Sequence, residues 1–107
     1  IERIQPLFDR AECTLAMLEI ANVELRHGDG YDGWKGRGRF DSIILTAAPE
    51  CIPPTILDQL APGGCLVAPV GKSTDQRLKI VSNRRGRLYD EEAEAVRFVP
   101  LVRGIRE

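Results

Sequence analysis

Residues 40–71 read FDSIILTAAPECIPPTILDQLAPGGCLVAPVG, and this stretch decides the fold. Phe40 to Thr46 carries the run Ile43-Ile44-Leu45, which does not alternate with polar residues. Such a run is expected of a strand buried on both faces. Ala47, Ala48 and Pro49 end it. Pro53-Pro54 then opens a helix over about residues 53–60, with Ile56, Leu57 and Leu60 on one face. Ala61-Pro62-Gly63-Gly64 reads as its stop, glycine being the usual residue past a helix end. Cys65 to Val70 is a second apolar run, closed by Gly71. Strand, short helix, strand is a parallel crossover unit, and its connection is expected to be right-handed.

Outward from this unit, the N-terminal side repeats the logic less clearly. Residues 1–4 read as the tail of a strand. Pro6 suits a first helical turn. Leu7, Phe8, Ala11, Leu15, Leu18 and Ile20 recur near the helical period, which predicts a helix over about 6–20. Val23, Leu25 and His27 alternate with charged residues, which predicts a strand over 22–27. Gly28, Gly30, Gly33, Gly36 and Gly38 make the following segment a loop around Trp34. On the C-terminal side, residues 76–83 alternate, Arg84-Arg85-Gly86-Arg87 turns, and residues 88–102 return as a strand. The predicted architecture is an α/β sheet with an antiparallel hairpin added at one edge.

Composition narrows the function. Charged residues are 29% of the 107, with 15 basic against 16 acidic and a net charge of -1. This balance gives no reason to expect nucleic acid or an anionic membrane as partner. No apolar run approaches a membrane-spanning length. Cys13, Cys51 and Cys65 have no metal-ligand spacing and read as buried free thiols of a cytoplasmic protein. The chain opens on Ile1, its single methionine is Met17, and no glycine-rich loop follows a first strand. We therefore expect residues 1–107 to be one partial domain, the C-terminal half of a larger one.

Four constellations could carry chemistry, because open α/β folds place ligands beyond the C-terminal ends of their strands. Glu2 stands at a strand end before a helix, suited to accept hydrogen bonds from ribose hydroxyls; with no glycine-rich loop ahead of it, position alone favours a solvated glutamate or a partner of Arg3. His27-Gly28-Asp29-Gly30 would let a flat ligand approach the backbone, with Asp29 accepting from an exocyclic amine. An ordinary Asp-Gly turn explains the same residues. The lone His27 reads as structural rather than as a metal ligand or a base. Thr46-Ala47-Ala48-Pro49 leaves room above the sheet for a reacting group, or is a plain strand exit. Val99-Pro100-Leu101 interrupts a strand, since proline cannot donate to a ladder, and exposes backbone groups that could pair with an extended peptide. A bulge without a ligand fits as well. No nucleophile elbow, P-loop or Ser-His-Asp order is present.

The phrases IERIQPL, NVELRHGDGYDGW, FDSIILTAAPECIPPTILDQLAPGGCLVAPVG and EAVRFVPLVRG, in this order, resemble the protein-L-isoaspartate (D-aspartate) O-methyltransferases. The resemblance implies the C-terminal part of a Rossmann-like methyltransferase sheet with S-adenosylmethionine as methyl donor. It also implies isoaspartyl-containing proteins and peptides as substrates. Glu2 then matches the residue holding the cofactor ribose, and Gly28, Asp29 and Gly30 the segment near its adenine. Thr46, Ala47, Ala48 and Pro49 match the strand exit beside methyl donor and substrate, and Val99, Pro100 and Leu101 the segment along which the peptide lies. No metal is implied. The glycine-rich cofactor loop and the catalytic residues are expected N-terminal to Ile1. The fragment alone is expected to be inactive, to bind cofactor weakly and to self-associate across a central gap in its sheet. Another S-adenosylmethionine-dependent methyltransferase, or a non-catalytic α/β binding module, is the alternative.

Overall fold

Pro6 enters the first turn of helix α1, Gln5–Met17, and no side chain caps its start. The computed structural model describes residues 1–107. Helix α1 ends before residue 20 because Glu19 takes a left-handed conformation, φ 56°. Its N–H donates to the Ala16 carbonyl and that of Ile20 to Leu15, closing the helix with the bond pair usually seen around a glycine. No glycine marks the position, so periodicity alone overran it.

The sheet follows as β1 Phe40–Ile44, β2 Leu60–Lys72, β3 Asp75–Arg84 and β4 Arg87–Val96, with helix α2, Pro54–Leu57, between the first two. Strand order is β1-β2-β3-β4. β1 and β2 are parallel, with Ser42 opposite Cys65, Ile43 opposite Leu66 and Ile44 opposite Val67. The other two pairings are antiparallel. The predicted crossover and edge hairpin are thus both present. The β3–β4 turn is Arg85-Gly86, with φ of 54° and 88°. Two consecutive left-handed residues match the right-handed strand twist. Asn83 Oδ1 accepts from the Gly86 N–H at 2.8 Å and holds the turn. Gly71 has φ 134°, and a Cβ there would sit 2.1 Å from the Asp75 carbonyl oxygen. Only glycine fits where β2 begins to turn into β3.

Five expectations are corrected. The 22–27 strand does not form; one parallel bridge joins Glu2 to His27, because only residues 1–4 lie alongside. The last strand stops at Val96 rather than running to 102. Beyond it the Gln76 side chain replaces the ladder: its Nε2 donates to the Phe98 carbonyl, 3.0 Å, and its Oε1 accepts from the Phe98 N–H, 2.8 Å. The Ala61–Gly64 segment is not simply a helix stop. It lies within β2, where the register with β1 shifts and Gly63 has φ 83°. The strands are not buried on both faces. Along residues 64–68, buried and more exposed positions alternate, and Ile44 is 71% exposed. Ile56, Leu60, Leu66, Ala68 and Val81 form the core on one face, with Ile52 and Leu57 packed against it. The opposite face has no such layer. For the same reason the cysteines are exposed rather than buried. Cys65 points from β2 away from the Leu66 side, Cys13 lies on a helix with no buried residue, and Cys51 precedes α2.

Candidate functional site

The segments singled out in sequence converge beyond the C-terminal end of β1. Glu2 N–H donates to the Arg26 carbonyl and Gly28 N–H to the Glu2 carbonyl, which places Glu2 beside His27 and Gly28. The Glu2 carboxylate accepts from the Ile4 N–H at 3.0 Å. It is half-buried, as are residues 27–30. His27 Nε2 is 2.9 Å from the Arg3 carbonyl and its ring lies 6.0 Å from that of Phe8. A ring so occupied is a structural histidine. No cluster of three or more His, Cys, Asp or Glu side chains could hold a metal.

Asp29 starts a single 3-10 turn, Gly30–Asp32. One carboxylate oxygen accepts from the Tyr31 N–H and the other from the Gly104 N–H, both at 2.8 Å. Neither Gly28 nor Gly30 is required to be glycine by its neighbours. A Cβ at Gly28 would lie 3.4 Å from its own chain's Arg26 side chain, and one at Gly30 3.7 Å from Leu101.

The strand exit and the C-terminal phrase meet directly. Ala48 N–H donates to Val99 at 2.7 Å and Leu101 N–H donates to Ala48 at 2.9 Å, a parallel bridge centred on Pro100. Ala48 and Pro49 are buried, and the Pro49 carbonyl accepts from Gly71. Of the four residues at this exit, Thr46 is exposed and Ala47 half-buried. Residues 99 and 101 therefore spend their backbone groups inward. Backbone groups alternate sides along an extended chain, so the Pro100 carbonyl and the Val102 amide face outward. Neither has a partner within the chain. Tyr31 closes the cluster: its hydroxyl donates to the Leu101 carbonyl at 3.3 Å.

Three residues here carry no signal in periodicity or motif. Tyr31 joins the loop to residue 101, Gln76 clamps Phe98, and Gln59 clamps Trp34 through both its amide atoms at 2.9 and 2.8 Å. An amide side chain can mimic a peptide group, but only the fold reveals which peptide it meets. A surface cleft of about 490 Å³ lies elsewhere, between Ala21–Glu24 and Trp34, Arg37 and Phe40. It contains none of the residues predicted for a site.

A parallel crossover unit whose strand ends gather a carboxylate-bearing glycine loop defines part of an open α/β ligand-binding domain. Residues 1–106 match the family model described as protein-L-isoaspartate (D-aspartate) O-methyltransferase, and the chain belongs to that family. It is 53% identical over 105 residues to the protein-L-isoaspartate O-methyltransferase of Colwellia psychrerythraea, covering 97% of this chain and 48% of that protein. The Yersinia pestis relative is 52% identical over 104 residues, covering 97% and 50%. The chain thus spans about half the length of these relatives. Among solved structures, a protein-L-isoaspartate O-methyltransferase from Plasmodium falciparum, in complex with S-adenosyl-L-homocysteine, superposes with TM-score 0.82 at 24% identity. It covers 94% of this chain and 50% of that one. A second such structure also gives 0.82, at 25% identity, covering 92% and 32%. The sheet is accordingly part of a Rossmann-like methyltransferase fold.

Proposed function

We propose that residues 1–107 supply half of a protein-L-isoaspartate O-methyltransferase site, as one partial domain of a cytoplasmic repair enzyme. The carrying observation is convergence. Glu2, Asp29, Ala48 and Leu101 lie far apart in sequence, yet hydrogen bonds tie their segments into one cluster. In this reading S-adenosylmethionine offers a sulfonium methyl group, and an isoaspartyl carboxylate oxygen takes it by in-line displacement. That nucleophile is already ionised at neutral pH, so positioning supplies most of the catalysis. Glu2 accepts from the ribose hydroxyls. Asp29 accepts from the adenine amine, and the absence of side chains at Gly28 and Gly30 lets the flat ring approach the backbone. Thr46 and Ala47 line the reacting centre, while Ala48 and Pro49 form its buried floor. The outward Pro100 carbonyl and Val102 amide pair with the peptide backbone, beside Val99 and Leu101. The catalytic groups and glycine-rich loop belong to the part of the family's length outside these residues, so this chain alone turns over little.

The test uses full-length protein containing this chain. Methyl transfer to an isoaspartyl peptide, but not to its aspartyl isomer, is the expected activity. Glu2→Ala is expected to weaken S-adenosylmethionine binding by about 1.5–3 kcal/mol, the worth of a hydrogen bond to a charged group. Asp29→Ala is expected to weaken it as well. Unchanged dissociation constants by calorimetry would return Glu2 to a solvated strand end and His27–Gly30 to a turn.

A further inference from the structure

The edge of residues 1–5 that faces away from residues 26–28 is occupied. Arg106 N–H donates to the Arg3 carbonyl at 2.7 Å, and Gln5 N–H donates to the Arg106 carbonyl at 2.8 Å. This bridge pairs Ile4 with Arg106, while Pro100 pairs with Ala48. The C-terminal segment therefore spans from the exit of β1 to the N-terminal segment. On the way it enters the candidate nucleoside site. Gly104, with φ 82°, turns its N–H onto the second oxygen of Asp29. Arg3 Nε holds the Gly104 carbonyl at 2.9 Å, and the Arg103 guanidinium lies 4.1 Å from the Tyr31 ring centroid. With Tyr31 N–H on its first oxygen, Asp29 has intrachain donors on both.

We propose that residues 103–107 form an intramolecular plug, which competes with the adenine of the cofactor for Asp29 and must leave before that ligand binds. The inference rests on the reading of Asp29 given above. The plug is built to exchange. Residues 102–107 are all exposed, and Ile105 is 57% so. The segment is held by two backbone hydrogen bonds, two hydrogen bonds to the charged side chains of Asp29 and Arg3, and one cation–π contact rather than by apolar burial. All of these polar contacts lie at the exposed surface, where water or a ligand can supply the same donors and acceptors and so offset their loss. A nucleoside amine on Asp29 would replace the Gly104 N–H directly.

The experiment is an NMR titration of the ¹⁵N-labelled 107-residue chain with S-adenosylhomocysteine, repeated on a chain ending at Val102 and on Gly104→Pro. Proline removes the donor and cannot take a positive φ. Asp29 and Gly30 amides report binding, and Leu66 and Val81 amides report an intact sheet. In the intact chain, ligand is expected to strip the Gly104 amide of its exchange protection. Both variants are expected to bind at least about fivefold more tightly, the factor lost when a plug is docked about four-fifths of the time. Equal affinity in all three chains would overturn the plug and leave the nucleoside reading standing. So would a Gly104 amide still protected at saturation. No binding in any chain would overturn the plug, since its removal would then release no site; Asp29→Ala in the full-length protein, read by calorimetry, decides the nucleoside reading separately. If the shortened chain loses its sheet signals, Gly104→Pro and the intact-chain titration decide alone.

Discussion

In the sheet, Leu66 is 0% exposed and packs with Leu60, Ile56, Ala68 and Val81. In α1 no residue is buried, and Met17 is 83% exposed. The two regions have comparable regularity and very different anchorage. Strands β2 to β4 are consecutive antiparallel neighbours, so local turns deliver their pairing, and α2 covers the core. Residues 1–39 touch the sheet region through Gln59 on Trp34, the 30–32 turn against α2, and the C-terminal segment. Secondary structure is therefore a poor guide to stability here; buried apolar area separates the regions.

The largest expected effect tests the better-anchored region. Leu66→Ala should cost about 2–5 kcal/mol, the usual range for a fully buried leucine, read from denaturant unfolding. A cost under about 1 kcal/mol would mean that the sheet is not the stable centre. Next comes Asn83, 5% exposed, whose Nδ2 donates to the Leu60 carbonyl at 2.9 Å. Asn83→Ala leaves that carbonyl buried without a partner and frees the Gly86 turn, for about 1–3 kcal/mol.

A smaller effect on folding, though a visible one on assembly, is expected at Ile44. β1 pairs with β2 on one side only, and Ile44 stands 71% exposed beside that open edge. Open strand edges recruit other edges. Sedimentation velocity should show concentration-dependent association of the 107-residue chain, and Ile44→Lys should suppress it while leaving the unfolding free energy within about 0.5 kcal/mol of the parent. A parent chain that stays monomeric at high concentration would show that the C-terminal segment already blunts this edge.

The crossover unit and the hairpin were legible because their signals are local. Proline at the start of α2, the Arg-Gly turn and the alternation along residues 76–83 need no knowledge of neighbours. The burial of β1 and β2 was misread because a non-alternating run implies cover on both faces, and cover is a property of what packs on top. The 22–27 strand failed for a related reason: alternation proposes a strand, but a ladder needs a partner of matching length. Of the site, the segments were visible as phrases. Their mutual contacts were not. Nothing in sequence announces that Gly104 donates to Asp29 or that Tyr31 reaches Leu101, since those bonds join residues 75 and 70 positions apart.

The smallest expected effect lies in α1, and it sharpens the comparison most. Met17 sits in the last turn, exposed, so Met17→Ala removes almost no buried area. Alanine is also the better helix former, by a few tenths of a kcal/mol. The net change should fall within about 0.5 kcal/mol, against several for Leu66. Hydrogen exchange should agree: α1 amides should open locally, well before those of β2 and β3. A cost above about 1 kcal/mol at Met17 has one physical source, apolar contact that the isolated chain does not show. It should then grow with protein concentration and vanish in Ile44→Lys, because association through the β1 edge would be what covers the helix. A cost independent of concentration would place the contact within the chain, and the contrast between a packed sheet and an unanchored helix would fail.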